Sequence, residues 1–415
     1  MRLSRLCKQA ARLREALPAY MNAWQLNEYG GEMALHSVAL PVLRDPGDVL
    51  VQVHSASVNP VDARMKEGYG REAVGFLRRI FNQSHDVSLL RSISPFPLTF
   101  GRDFSGVVVD IGRQISKFRI GDEVYGTVAP NRQGSHAEYV VTNEDAIALK
   151  PTNISHADAA SLPYVGCTVW SALACVAGCT PENMNAAHAL VHAGAGGIGS
   201  FAIQLLKAWG ATVTATCSQD ALELVSSLGA AHAVVYSTPT ALEQLRDHSP
   251  YDVILDPIAS DLSVASVDLL GVWRNCAYVT LNTPLLTNLD ERGWPLGLLQ
   301  SAMEYAQNAT KPLANGRWYL WAYYQPNSKA MATISRLVDS DQIRPVVHQS
   351  YRMEELPYAY DTIGSVHGRG KSLLKAWGAT VTATCSQDAL ELVSSLGAAH
   401  AVVYSTPTAL EQLRI

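Results

Sequence analysis

The chain has 415 residues, 48 % apolar and 17 % charged, with a formal net charge of −5, which predicts two domains plus extensions around a real hydrophobic core. The acidic balance, with no basic stripe interleaved with aromatics, excludes a nucleic-acid groove, and no uninterrupted apolar run reaches the ~18 residues of a membrane span. Seven cysteines in no regular framework argue against a disulfide scaffold and for a reducing compartment. Cys175 and Cys179 read as buried core thiols, because no second pair follows at zinc spacing.

Residues 1–19 stand apart. Arg2, Arg5, Lys8, Arg12 and Arg14 are opposed only by Glu15, and Leu3, Leu6, Ala10, Leu13 and Leu17 recur at roughly helical spacing. That composition predicts a mitochondrial presequence. From residue 20 to 150, Val-rich segments at 48–53, 106–109, 123–128 and 137–141, broken by Pro46-Gly47 and Gly121-Asp122, predict a β-rich module. Residues 71–94, with Phe76, Leu77, Ile80, Phe81, Leu89 and Leu90, predict a helical insertion that is either a lid or a packed surface helix.

After Pro151 the rhythm changes. Predicted strands at 187–191, 212–216, 234–236, 253–255 and 277–281 alternate with helices at 198–209 and 221–228, the pattern of an α/β domain with a doubly wound parallel Rossmann sheet over 151–340. Residues 341–371 return to the β module. Residues 205–246 then recur letter for letter as 373–414. The copy begins inside a helix and lacks the Gly-rich turn, so it cannot form a second nucleotide site. The tail 372–415 is expected to be weakly packed and without chemistry, and its removal from Leu373 onward is expected to leave cofactor binding intact.

Gly194-Ala195-Gly196-Gly197-Ile198-Gly199 lies between a predicted strand and a predicted helix. Small residues there let the backbone turn and approach a pyrophosphate, which the helix N-terminus attracts. The next strand ends in Thr216-Cys217-Ser218-Gln219, without the acidic residue that binds a ribose 2′-hydroxyl in NAD sites. NADPH is therefore the expected cofactor, with Ser218 and Tyr236 as neutral donors and Asp220 at the start of the next helix.

Ser57-Val58-Asn59-Pro60-Val61-Asp62, Gly68-Tyr69-Gly70, the run Phe100-Gly101-Arg102-Asp103-Phe104-Ser105-Gly106, Gly121-Asp122-Glu123-Val124 and Ala160-Ser161-Leu162-Pro163-Tyr164 together resemble the zinc-free quinone oxidoreductases of the medium-chain dehydrogenase/reductase superfamily, in particular a mitochondrial branch of them. The resemblance runs from about Met21 to Lys371. It implies a GroES-like substrate domain beside the Rossmann domain, Asn59 near the nicotinamide, Thr168 hydrogen-bonding the cofactor and Tyr69 facing substrate. Gly368-Arg369-Gly370-Lys371 resembles the closing motif that approaches the cofactor phosphates, and Arg369 or Lys371 is the candidate cation for a 2′-phosphate. The last strand of the family is here cut to Ser372-Leu373-Leu374, which puts stability in doubt. Residues 316–324 resemble an outer strand that pairs across a homodimer.

The places that carry zinc ligands in related dehydrogenases hold Asn59 to Asp62 and Arg102-Asp103, so no metal is expected; Arg102 and Asp103 read as a structural ion pair. These readings converge on an NADPH-dependent reductase of quinones or conjugated enones in the mitochondrial matrix; the resemblance further implies a tie to ubiquinone metabolism or redox protection, with a membrane-associated protein partner admitted. Two rivals stay open: an enoyl-thioester reductase, which Tyr69 would serve equally, and an NADPH-binding redox sensor or scaffold without turnover.

Overall fold

The computed structural model describes residues 17–81, 96–272, 276–365, 370–375, 382–385 and 400–403; residues 1–16 of the expected presequence and the later part of the expected insertion lie outside them. The β module opens with an antiparallel hairpin, β1 (Tyr20–Gln25) and β2 (Ala34–Ala39). Its centre is β3 (Asp48–Val58), whose valines at 49, 51 and 53 are all buried, as expected of β-branched residues in a central strand. β4 (Asp103–Ile111), β5 (Glu123–Thr127), β6 (Tyr139–Asn143) and β7 (Ile147–Leu149) complete this part of the sheet.

The second domain carries β8 (His188–Val191), β9 (Thr212–Cys217), β10 (His232–Val235), β11 (Val253–Asp256), β12 (Ala277–Thr280) and β13 (Trp318–Trp321), all parallel, in the order β10-β9-β8-β11-β12-β13. The chain winds outward from β8 in one direction and from β11 in the other. The carboxyl ends of these two neighbours form the switch point at which open α/β sheets bind ligands. The apolar stretch His156–Val176, long enough to cross a bilayer, is 72 % buried in the core. Cys175 corrects the sequence expectation: it is exposed while Cys179 is buried. The helix ends at Val176 and the chain turns at Gly178 with φ +69°, so the two thiols do not share a helical face.

β14 (Val347–Arg352) and β15 (Lys371–Lys375) return to the β module, giving the order β14-β15-β3-β4-β5-β7 with β6 also on β3. β15 corrects the expected boundary. It runs through Leu373, Leu374 and Lys375, pairs with β3 from Ser372↔Val58 to Lys375↔Ser55, and buries both leucines. The first residues of the copied segment thus complete the last strand. Beyond it, β16 (Thr382–Cys385) and β17 (His400–Val403) pair in parallel in a separate unit, with Thr382 opposite His400, the register of Thr214 opposite His232 in the first copy.

The insertion contains helix Arg71–Phe81, packed on helix Leu285–Ala314 with Phe76 and Trp294 ring centroids 4.8 Å apart. It turns Phe76, Leu77 and Ile80 outward and sends Arg78 inward to the Pro130 carbonyl at 3.1 Å.

Candidate active site

The Gly-rich turn leaves the carboxyl end of β8. Ala193 takes a left-handed φ of +52°, and the Gly194 amide donates to the Thr216 carbonyl at 2.7 Å, tying the turn to β9. Gly196 is the N-cap of helix Gly197–Ala208. The first-turn amides at Gly197, Ile198 and Gly199 have no earlier helical turn to bond to, which leaves them available to an anion. A Cβ on Gly199 would lie 2.2 Å from the Ala193 carbonyl oxygen, and one on Gly194 would press on Ala215 and Ile203; bare main chain is needed for the helix to seat this close to the strand. These residues fit a dinucleotide's diphosphate. Under the turn, His192 is fully buried between the Thr216 and Ser266 hydroxyls, at 3.2 and 3.0 Å. Burial pushes its pKa down to about 4, so it stays neutral at physiological pH.

Ser218 and Tyr236 meet at one corner: Tyr236, half exposed, donates its amide to the Cys217 carbonyl at the end of β9. Ser218 Oγ, however, donates to Asp220 Oδ1 at 2.5 Å. Asp220 does begin the next helical turn, Gln219–Ala221, yet its carboxylate reaches back to the strand tip. Thr168 is buried, and its hydroxyl donates to the Tyr164 carbonyl at 2.6 Å while retaining acceptor capacity.

Gly368 and Arg369 lie outside the described residues. Gly370 bridges to Gly196 and donates its amide to the Ala195 carbonyl at 2.9 Å, which sets the closing motif against the Gly-rich turn. Lys371 corrects the sequence expectation. Its ammonium does not turn to the tip of β9; it runs into the β module, where Nζ donates to Asn59 Oδ1 and lies 3.1 Å from Asp103 Oδ2.

Asp103, fully buried, is the hub of this region. Its Oδ2 accepts from Ser57 Oγ at 2.5 Å and Asn59 Nδ2 at 2.9 Å, and its Oδ1 accepts from the Tyr164 amide. The expected Arg102–Asp103 ion pair is therefore overturned: neighbouring side chains at the start of a strand point to opposite faces. Arg102 instead faces Asp62 at 3.8 Å and donates to the Ala129 carbonyl at 2.8 Å. Asn59 caps helix Pro60–Lys66, its amide held by Asp62 Oδ2 at 2.9 Å, so it is both a turn residue and part of the network. Asp103→Ala is expected to cost about 3–5 kcal/mol, because it strands a buried ammonium. Urea denaturation checks this, and a loss below about 1 kcal/mol would contradict the hub.

Tyr69 sits between Gly68 (φ +97°) and Gly70 (φ +76°), conformations that glycine adopts without strain. The loop is latched by Asp290, which accepts from the Gly70 amide at 2.5 Å and the Glu72 amide at 3.0 Å. The Arg64 guanidinium lies over the Tyr69 ring at 3.8 Å. Sequence reasoning missed three further tyrosines. Tyr323 and Tyr324 leave the carboxyl end of β13, and Tyr164 begins helix Pro163–Trp170. Tyr164 and Tyr324 stack at 4.5 Å, and Tyr324 Oη donates to Thr127 Oγ1 of the β module at 2.6 Å. Burial raises the pKa of Tyr69, Tyr164, Tyr323 and Tyr324, and Tyr69 adds to the rise at Tyr164 and Tyr323. All four are neutral phenols at physiological pH. For Tyr323 and Tyr324 the available signal was position: they follow the end of a parallel strand, where ligands bind.

Among the described residues no group of three His, Cys, Asp or Glu is placed to hold a metal ion. Residues 45–152 match the alcohol dehydrogenase GroES-like domain and residues 228–374 the zinc-binding dehydrogenase family. The chain is 41 % identical over 356 residues to mitochondrial reticulon-4-interacting protein 1 of Caenorhabditis elegans, covering 86 % of this chain and 95 % of the relative. It is 38 % identical to the human mitochondrial NAD(P)H oxidoreductase RTN4IP1, over 85 % and 89 % of the two chains. The quinone oxidoreductase structure from Coxiella burnetii superposes with a TM-score of 0.67 at 27 % identity, covering 86 % of this chain and 99 % of that one. The chain belongs to the reticulon-4-interacting NAD(P)H oxidoreductases of the medium-chain dehydrogenase/reductase superfamily, enzymes built from a GroES-like domain and a Rossmann domain that use a nicotinamide cofactor.

Proposed function

We propose that the chain reduces quinones or conjugated enones with NADPH, in the mitochondrion. The observation that carries this reading is the presence, beside a dinucleotide turn at the switch point, of a set of neutral phenols, Tyr69, Tyr164 and Tyr323, close enough to bias one another's protons. The cofactor supplies a hydride. The chain's part is to hold the diphosphate on the amides of Gly197 to Gly199, to orient Asn59 through Lys371 and Asp103, and to present donors where charge arrives on an acceptor oxygen. An electron-poor conjugated acceptor needs polarisation and position, not a strong acid, and phenols that keep their protons suit it. The Arg-rich first nineteen residues and the printed names of the relatives support the mitochondrial setting. The outer strand Trp318–Trp321, at the edge of the parallel sheet, supports a homodimer.

NADPH over NADH rests on Ser218 and Tyr236 as neutral donors. With the Asp220 carboxylate on Ser218, the preference is modest, about tenfold or less. Steady-state oxidation of NADPH and NADH with a quinone panel and an enoyl-thioester panel tests the whole reading. Turnover is expected with quinones or enones, faster with NADPH. Turnover confined to the thioesters would make the chain an enoyl-thioester reductase. No turnover on either panel, with the cofactor bound, would leave a binding protein.

A further inference from the structure

Tyr323 holds a hydroxyl that the fold does not use. Its residue follows the end of β13 by two positions, and its neighbour Ala322 is still tied to the sheet through the Thr280 carbonyl at 3.0 Å. The position is therefore fixed by the core. The next residue, Tyr324, spends its hydroxyl on Thr127. Tyr323 Oη is buried and has no hydrogen-bond partner at good geometry; the Thr283 side chain, three residues past the end of β12, reaches it only loosely and offsets part of the effect of burial on its proton. A buried hydroxyl left poorly matched costs roughly 1–3 kcal/mol, and a ligand that completes it is one of the explanations such a group calls for. Tyr69, the residue expected to face substrate, is close enough to bias the Tyr323 proton.

We infer that Tyr323 Oη donates a hydrogen bond to the oxygen of the acceptor and is a catalytic residue of the reductase. The inference rests on the function proposed above and adds the group that meets the developing charge. In the step, the acceptor takes a hydride, with both electrons, from the reduced nicotinamide, which is thereby oxidised. The negative charge settles on the acceptor's carbonyl oxygen, where Tyr323 Oη holds it. A proton from solvent then completes the hydroquinone, or the saturated ketone when the acceptor is an enone. Tyr323 keeps its own proton throughout, as its raised proton affinity requires. The ligand class is thus a conjugated carbonyl compound, recognised at its oxygen.

Tyr323→Phe keeps the ring and removes only the hydroxyl. The expected result has three parts. NADPH affinity is unchanged. The kcat/KM for a quinone falls about 10- to 100-fold, as for the loss of one donor to a developing oxyanion. The melting temperature stays level or rises, because an unmatched buried hydroxyl has gone. Unchanged kcat/KM in a folded variant would overturn the assignment while leaving the reductase reading intact. A fall in melting temperature alongside the activity loss would also overturn it, because that marks a structural role. If the wild-type protein binds NADPH but turns over no quinone or enone, the function proposed above fails instead, independently of the variant.

Discussion

Gly197→Asp abolishes cofactor binding, with NADPH affinity lower by at least about 100-fold, or ~2.8 kcal/mol, while the protein stays folded. A Cβ at this position would meet Lys371 Cδ at 3.1 Å, Val165 at 3.4 Å and the Gly370 carbonyl at 3.5 Å. Its nearest contact is a methylene of a flexible side chain, so the fold absorbs the added atom with a small shift. The carboxylate, however, projects beside the amides proposed to hold the diphosphate, where a second negative charge is repelled. Gly197→Ala separates the two effects: it adds the Cβ without the charge and is expected to lose less than tenfold. Fluorescence titration with NADPH measures both variants. Affinity within threefold of wild type in Gly197→Asp would place the diphosphate elsewhere.

Two truncations three residues apart are expected to give opposite results. A chain ending at Lys375 keeps all of β15 and retains the melting temperature and NADPH affinity of the full chain. A chain ending at Ser372 loses Leu373 and Leu374, both within 1 % of full burial, and the hydrogen bond from Ser55 Oγ to the Leu374 carbonyl at 2.7 Å. Each buried leucine contributes roughly 1.5–3 kcal/mol, and β14 loses the strand that joins it to β3. Against a total stability of about 5–15 kcal/mol, that loss leaves the protein insoluble or strongly destabilised. The cut at Leu373 that the repeat suggests would therefore damage the fold. Equal melting curves for the two truncations would show that β15 contributes nothing.

The same comparison shows what a sequence can and cannot disclose. Leu205-Leu206-Lys207 lies in helix Gly197–Ala208, while the identical Leu373-Leu374-Lys375 lies in β15. Intrinsic preference did not choose between the two states. What precedes each tripeptide did: an N-capped apolar helix in one case, and an extended segment docked between two strands in the other. The Rossmann strands and the Gly-rich turn were legible because their information is local, a strand, small residues and a helix in succession. Asn59, Tyr69 and Thr168 came forward as candidates only through family resemblance. The hub was not, because Asp103 meets Asn59 and Lys371 from 44 and 268 residues away, and adjacency of Arg102 and Asp103 suggested a pair that strand alternation forbids. Tyr323 escaped notice because its significance is an unmatched hydroxyl, which only a folded structure exhibits.

We propose a nicotinamide cofactor resting on the turn after β8, with its hydride going to an acceptor held by Tyr69, Tyr164 and Tyr323. The most direct test is rapid mixing of the wild-type protein, loaded with one equivalent of NADPH, with a soluble quinone. A single turnover is expected in which nicotinamide fluorescence decays in step with hydroquinone formation, and both signals vanish together in Gly197→Asp. Stable NADPH fluorescence in the presence of excess quinone and enone, with cofactor demonstrably bound, would contradict it.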